Sequence, residues 1–465
     1  MPMGDCQLSN RSDSLFRFIA LVLPQSAIEN RKSAIMPPSP ITRRDFMLRT
    51  SVLAAAPLTA GLLNTALAAE VSTPVAPKQA PPRPPKTTYP HPFLTPADKF
   101  EDVSRGNPKP FTLTGDALVQ ARLTPETWRL QIVADPTVDE IVKLPASITR
   151  SLTLADGTAL DLAALMELGR KHGVKFLKAM QCLNIATPLG QGLWEGVPLR
   201  EVLRLCGRMT NVRRIYYWGF HNNDPKQRFQ SSLSYTAAME TPPGELPAFL
   251  AYRLNGAPIP LERGGPVRMV IPWSHGFKSI KWLQQIVLTN DFKANDTYAI
   301  ANNDPESHLK TAAYLDEVSG KIPVGQPVFV SGLAIAGWSG LQRVEYWLRP
   351  ANGQPGELSE DDPAWQNAQW TECRLDDAPT DWSHIFPAGV SAREVLGFNP
   401  VTGQPATWPL RYSMVSWSAS IRGLAPGRYE VRARAVDLNG YAQPEPRPML
   451  KTGRNAIQTR RFEVG

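Results

Sequence analysis

Near Asn302 the sequence changes texture, and that change narrows the folds open to it. From about Phe100 to Phe292 segments of helical and of strand period alternate. Leu162, Leu165 and Met166 recur at helical spacing between Leu162 and Lys171, while Phe249-Leu250-Ala251-Tyr252-Arg253-Leu254 reads as a strand running into the tight turn Asn255-Gly256. Val267 to Ile271 is a short β-branched run. After Asn302 helical periods become scarce and short strands are separated by Pro, Gly and Asn. Arg428 to Val436 alternates polar with apolar or small residues between Ala425-Pro426-Gly427 and Asn439-Gly440, and Val344-Glu345-Tyr346-Trp347-Leu348 behaves similarly. The pattern predicts an α+β domain over 98–300, then an all-β sandwich over 320–465, with no internal repeat.

The N-terminal part is of another kind. Thr42-Arg43-Arg44-Asp45-Phe46-Met47-Leu48 precedes an Ala/Leu-rich apolar stretch from Ser51 to Leu67 and the small-residue sequence Ala66-Leu67-Ala68-Ala69. In order these are a basic n-region, an h-region and an A-x-A cleavage site, which predicts a twin-arginine signal over 1–69 and a periplasmic or otherwise exported destination. The stretch is short for a membrane span and is interrupted by Pro57, Gly61 and Asn64. Translation from Met36 would give an n-region of ordinary length. Export by this route takes proteins already folded, which implies a cofactor inserted beforehand and the twin-arginine machinery as a partner. Residues 70–97, rich in Pro and poor in large apolar residues, read as an extended tether.

Charge and cysteine exclude several classes. The chain carries a formal +8, and removal of 1–69 takes seven Lys/Arg and four Asp/Glu, leaving about +5. No run of Lys/Arg exceeds two, so a nucleic-acid surface is not expected. Cys182, Cys206 and Cys373 remain after processing, an odd number, which leaves at least one thiol free or committed to chemistry. There is no C-x-x-C pair, no C-x-x-C-H haem attachment, no H-E-x-x-H and no G-x-x-x-x-G-K, and Gly337-Trp338-Ser339-Gly340 lacks the spacing of a nucleophile elbow.

The richest stretch is Phe176-Leu177-Lys178-Ala179-Met180-Gln181-Cys182-Leu183-Asn184, continuing through Gly192-Leu193-Trp194-Glu195-Gly196-Val197-Pro198-Leu199-Arg200-Glu201-Val202-Leu203. By pattern alone a buried strand ends at a cysteine and a loop leads into a helix beginning near Pro198, with Pro in the favoured first turn. A lone Cys after an apolar strand is more often core packing than chemistry.

This segment resembles the molybdenum-binding core of the sulfite oxidase family, in which one cysteine at a strand end binds the metal and a Trp-x-Gly-Val-Pro-Leu-x-x-Val-Leu helix start follows. A second landmark carries the likeness: Ala251-Tyr252-Arg253-Leu254-Asn255-Gly256-Ala257-Pro258-Ile259-Pro260, then Gly264-Gly265-Pro266-Val267-Arg268-Met269-Val270-Ile271-Pro272, then Gly276-Phe277-Lys278-Ser279-Ile280-Lys281-Trp282-Leu283. The β-rich tail resembles that family's immunoglobulin-like dimerisation domain. The likeness thus covers nearly the whole chain after the signal.

The resemblance implies a molybdenum–molybdopterin cofactor with Cys182 as sole protein ligand, a role that suits a soft thiolate. Arg105 and Asn107, in Ser104-Arg105-Gly106-Asn107-Pro108, match the family's early Arg-Asn segment; Arg263, Arg268, Ser279 and Lys281 fall on its later phosphate and pterin contacts, with His275 a neighbour. Asn222 lies where the family often has an acidic pterin contact, and equally reads as a turn former. Tyr298 is an approximate counterpart of the active-site Tyr, and equally could cap the domain junction. Without the resemblance, Arg268 and Lys281 read as strand charges facing solvent.

One departure bears on substrate. Sulfite-oxidising members read Cys-x-Gly-Asn-x-Arg at the metal ligand, whereas Cys182-Leu183-Asn184-Ile185-Ala186-Thr187 has neither the Gly nor the Arg. The implied function is an exported molybdenum oxidoreductase of the sulfite oxidase type, transferring an oxygen atom to or from a small sulfur-containing or anionic substrate. Arg105 would position that substrate or the pterin. With no haem motif here, electron transfer would go to a separate carrier such as a c-type cytochrome, and the sandwich would pair two chains as a homodimer. A sulfoxide-type reductase on the same molybdenum domain is the nearest alternative, although that relative lacks the C-terminal sandwich. A non-catalytic surface protein keeping the fold is the other.

Overall fold

The computed structural model describes residues 91–138, 143–183, 185, 187–297, 304–306, 308–351, 358, 362–443 and 455–465. The expected signal region, residues 70–90 of the expected tether and Tyr298 lie outside the described residues. No helix among the described residues is long and apolar enough to cross a membrane.

Two sheets build the part of the chain before residue 300. One runs in the order Leu160–Asp161, Arg129–Ala134, Leu283–Thr289, Arg214–Gly219, Gln230–Ser234. Arg129–Ala134 lies parallel to Leu283–Thr289 and the other pairs are antiparallel. Alternation along Arg214–Gly219 turns Ile215 and Tyr217 inward, onto Trp128, Leu130 and Ile286. The helix Leu162–His172 closes this core through Leu165. Its start is fixed by Asp161, whose carboxylate accepts from the Ala164 N–H at 2.8 Å, and Arg170, Lys171 and His172 fill its last turn.

The second sheet runs Ala257–Pro258, Phe249–Leu254, Gly190–Pro198, Val174–Met180, with Arg268–Val270 paired to Phe249–Leu254. Val174–Met180 is buried from Phe176 onward because both of its faces are covered. Phe176, Ala179 and Met180 join one hydrophobic cluster, and Leu177 joins another with Trp382 and Phe386.

The loop expected between Cys182 and Pro198 is instead largely the strand Gly190–Pro198, paired on both sides. Its glycines are demanded by close neighbours: a Cβ on Gly192 would lie 2.3 Å from Leu254 Cδ1, and one on Gly196 would lie 2.0 Å from the Leu250 carbonyl oxygen. Pro198 consequently ends a strand and flanks the helix Leu199–Arg204 rather than occupying its first turn.

The C-terminal part is two sheets with one shared core. The first holds Ala312–Leu315, Val328–Ile335, Met414–Ile421 and Arg374–Leu375; the second holds Lys321–Ile322, Gln458–Val464, Gly427–Val436, Arg343–Pro350 and Thr371–Glu372. Val330, Ala334, Val415 and Trp417 of the first pack with Val344, Val431, Ala433 and Phe462 of the second. Ala312–Leu315 belongs to these sheets, so they begin before the expected residue 320.

The tether expected over 70–97 also ends early. Phe93 stacks on Trp408, the Thr95 N–H donates to the Gln191 carbonyl at 2.8 Å, and His91 Nε2 lies 2.9 Å from Asp316 Oδ1. Apolar Phe93 and Leu94 join the cluster of Trp382, so they leave the Pro-rich segment for the core.

Candidate functional site

Cys182 sits two residues beyond the strand Val174–Met180, half-buried, on the wall of a cavity of about 840 Å³, open mouth included. Four cationic side chains share that wall: Arg105, Arg263, Arg268 and Lys281. Ser279 is a further lining residue, and Phe100, Met180, Phe229 and Phe277 give the cavity its apolar surface. Cys206 and Cys373 are in cores, where burial pushes the Cys206 thiol up to about 11 and the Cys373 thiol up as well.

Backbone carbonyls hold Arg263 and Arg268, whereas side chains share in holding Lys281 and Arg105. Arg263, at the end of a short 3-10 turn, donates through Nη1 to the carbonyls of Phe100 at 2.8 Å and Glu101 at 3.2 Å. Arg268 begins the strand Arg268–Val270, donates to the Arg263 carbonyl at 2.7 Å and the Ser279 carbonyl at 2.6 Å, and lies 5.2 Å from the Trp194 ring centre. Lys281 donates to Asp102 Oδ1 at 3.1 Å, to Ser104 Oγ and to the Glu262 carbonyl at 2.6 Å. The Arg105 guanidinium stands 5.0 Å over the Phe229 ring.

Burial and crowding strain these charges. Burial and the charge of Arg263 bring Arg268 down to about 9. Lys281 falls to about 7, through burial and Arg268, with Asp102 opposing. Lys178, fully buried on the strand that leads to Cys182, also falls to about 7, through burial and then Arg268. Burial opposes ionisation of Asp102, but hydrogen bonds from Ser104 and Lys109 and the charge of Lys281 outweigh it and hold the carboxyl below the usual carboxylate range. Such a cation cluster is short of negative charge. Arg263 Nε, Arg268 Nε and Gln181 Oε1 are buried with no hydrogen-bond partner.

The structure brings part of the expected residue set together around one cavity. Cys182, Arg105, Arg263, Arg268, Ser279 and Lys281 come together, and the expectation of solvent-facing charge at Arg268 and Lys281 fails because both are enclosed. Asn107 and Asn222 do not line the cavity. Asn222 has a left-handed φ of 56° and donates through Nδ2 to the Pro108 carbonyl at 2.8 Å, a geometry that suits a turn former. Asn107 is tied to Gln227 through its backbone N–H at 2.8 Å. His275 is buried ahead of the turn Gly276–Lys278 and is not among the lining residues. Lys178, Asp102 and His221 were not anticipated.

No cluster of three or more His, Cys, Asp or Glu side chains that could hold a metal occurs among the described residues. A metal at Cys182 would therefore need ligands from a bound group. A dithiolene-bearing pterin with a phosphate has the sulfurs to supply them, and its negative charge matches the cations.

Residues 117–297 match the family model for the oxidoreductase molybdopterin binding domain. The inducible NADH nitrate reductase 2 of Glycine max is 25% identical over 192 residues, which is 40% of this chain and 21% of that protein. Mitochondrial sulfite oxidase of Mus musculus is 26% identical over 194 residues, 40% of this chain and 33% of that protein. The crystal structure of the sulfane dehydrogenase SoxCD from Paracoccus pantotrophus aligns with a TM-score of 0.49 at 17% identity, over 74% of this chain and 79% of that one. The match spans a third or less of these two curated relatives. The chain thus carries an oxidoreductase domain of the molybdopterin-binding class. Over part of its length it is similar to sulfite oxidases and nitrate reductases.

Proposed function

We propose that this chain is an exported enzyme that moves an oxygen atom between water and a small sulfur-containing or anionic substrate, at a molybdenum centre held by Cys182. The observation that carries the reading is a half-buried thiol sharing one cavity with Arg105, Arg263, Arg268 and Lys281. When bound there, the molybdenum cofactor supplies two-electron oxygen-transfer chemistry.

The remaining work falls to the chain. Cys182 gives the metal its thiolate. Arg263 and Arg268, braced on carbonyl oxygens, present fixed donors to the cofactor's anionic parts, and Lys281 is aimed by Asp102. Arg105, set against Phe229, faces an anionic substrate, and Phe229 with Phe277 limits water in the cavity. Electrons would leave singly to a separate carrier, of which a c-type cytochrome is one type. The sandwich, read as immunoglobulin-like, would pair two copies, and Arg43-Arg44 would direct the folded protein out of the cytoplasm.

The apolar wall of Met180, Leu189, Phe229 and Phe277 favours a second reading, a sulfoxide-type substrate with an apolar arm. Protein made in a cofactor-competent host should hold molybdenum in stoichiometric amount, and its absence would overturn the proposal. A panel of sulfite, sulfoxides and other oxyanions, scored by oxidation or reduction of a dye, separates the two readings.

A further inference from the structure

Two cavities share His221 as a lining residue. One is the pocket of Cys182; the other is a polar hollow of about 660 Å³, mouth included, whose wall contains Arg122, Gln131, Trp218, Asp224 and Arg228. His221 lines both. The ring is only 7% exposed, with the Phe229 and Trp282 rings at 6.5 and 6.4 Å between centres.

The ring's hydrogen bonding sets its chemistry. His221 Nδ1 lies 3.0 Å from the Gly219 carbonyl oxygen, which can only accept, so Nδ1 carries the hydrogen and Nε2 of the neutral ring keeps its lone pair. Burial, then the charges of Arg228 and Arg105, hold the imidazole below its ordinary value against the Gly219 hydrogen bond. The neutral ring, able to accept a proton, is thus the form present at pH 7. The charged groups around it are Arg105 on the pocket side and Arg122, Asp224 and Arg228 on the hollow side, with Glu101 and Lys281 across the pocket.

The proposed reaction, run as an oxidation, needs such a group. When a substrate gains oxygen from water, two protons are released with two electrons; the electrons pass to the separate carrier, and the protons must reach solvent. Lys281, though brought down to about 7, directs its donors at Asp102, Ser104 and Glu262, none of which lines the polar hollow, and the guanidinium groups have no acceptor.

We propose that His221 is the proton exit of the Cys182 pocket: Nε2 accepts a proton released there and yields it to water in the polar hollow. This rests on the oxygen-transfer reading, so molybdenum content and turnover of the wild type are measured first. A wild type lacking either overturns that reading, and the relay with it.

With an active wild type, ¹⁵N spectra of the histidine side chains, assigned by loss of a signal in His221→Gln, should show a neutral Nδ1–H ring that titrates below about 6.5. His221→Gln keeps a donor for Gly219 but carries no proton. It should hold molybdenum at the wild-type level while turnover falls about 100-fold, with partial rescue by added imidazole. Arg228→Gln removes a charge that faces the ring and should move the acid limb of kcat to higher pH. An Nε2–H ring, wild-type turnover in His221→Gln, or an unmoved acid limb in Arg228→Gln would each overturn the relay. Should His221→Gln fail to fold, the Arg228→Gln profile still decides.

Discussion

Replacing Arg268 by Met should leave the cofactor-free protein about as stable as before and weaken only the loaded one. In the empty site the guanidinium is costly: its fall from 12.5 to about 9 corresponds to about 5 kcal/mol against the charged form. Met removes that cost. It also strands the carbonyls of Arg263 and Ser279, at roughly 1–3 kcal/mol each, and gives up about 1 kcal/mol of contact with Trp194. These opposing contributions are of similar size, so the net change without cofactor is expected within about 2 kcal/mol of zero. In the loaded protein an anion balances the charge, and loss of its charge-assisted hydrogen bonds costs roughly 1.5–3 kcal/mol, about 10- to 150-fold in cofactor affinity. Calorimetric melting of protein from hosts with and without molybdopterin synthesis reads both. For a folded unit of this size about 1 kcal/mol moves Tm by roughly 1 °C, so the gap between loaded and empty forms should narrow by about 1.5–3 °C. An equal fall in both melting temperatures would show that Arg268 only braces the backbone.

Cys182→Ser should abolish turnover and lower molybdenum content while leaving the fold intact, as metal analysis and circular dichroism of one preparation would show. Lys178 sits at about 7 when folded against 10.5 otherwise, so the unfolded chain binds more protons between those values and stability of the empty protein should rise with pH from about 7 towards 10. Lys178→Met should flatten part of that rise and raise the urea midpoint at pH 7. Gly196→Ala drives a Cβ to 2.0 Å from the Leu250 carbonyl oxygen and should cost more than about 3 kcal/mol, visible as loss of soluble protein. Arg43-Arg44 replaced by Lys-Lys should leave active, metal-loaded protein in the cytoplasm, checked by fractionation; normal export would break the link between signal and cofactor.

What could be read from the sequence depended on whether a residue's neighbours were near in the chain. The turn at Asn255-Gly256, the helix begun by Asp161 and the strand before Cys182 are local patterns, and each stands as expected. Gly190–Pro198 was misread because Gly192 and Gly196 are small to make room for Leu254 and Leu250, more than fifty residues away. Lys178 was missed for the same reason, since a charge in an apolar strand reads as exposed until the elements that cover it are known, and Asp102 is a loop residue whose partner Lys281 is far away in the chain. The left-handed turn at Asn222 was legible as one of two readings, since Asn tolerates that conformation, and its hydrogen bond to Pro108 fits that one. His221 gave no local signal at all; its place between two cavities comes from packing alone.

The pocket is not finished by the domain that carries Cys182. The described residues belong to one compact unit, and the sheet leading to the thiol is backed by the sandwich: the Ala179 N–H donates to the Tyr412 carbonyl at 2.7 Å, and Gln191 Oε1 accepts from the Met414 N–H at 2.5 Å. Trp194, against which Arg268 lies, packs in one cluster with Tyr314, Ile335, Tyr412 and Met414. At the front, Arg263 is fixed by the carbonyls of Phe100 and Glu101, close to where the described chain begins. The cation cluster therefore rests on segments some three hundred residues apart, with residues 412–414 among its supports. A cofactor that needs those cations would be bound late, by a nearly complete fold. The export of folded chains proposed for Arg43-Arg44 would suit such a protein, because threading it unfolded across a membrane would separate the very segments that build the site.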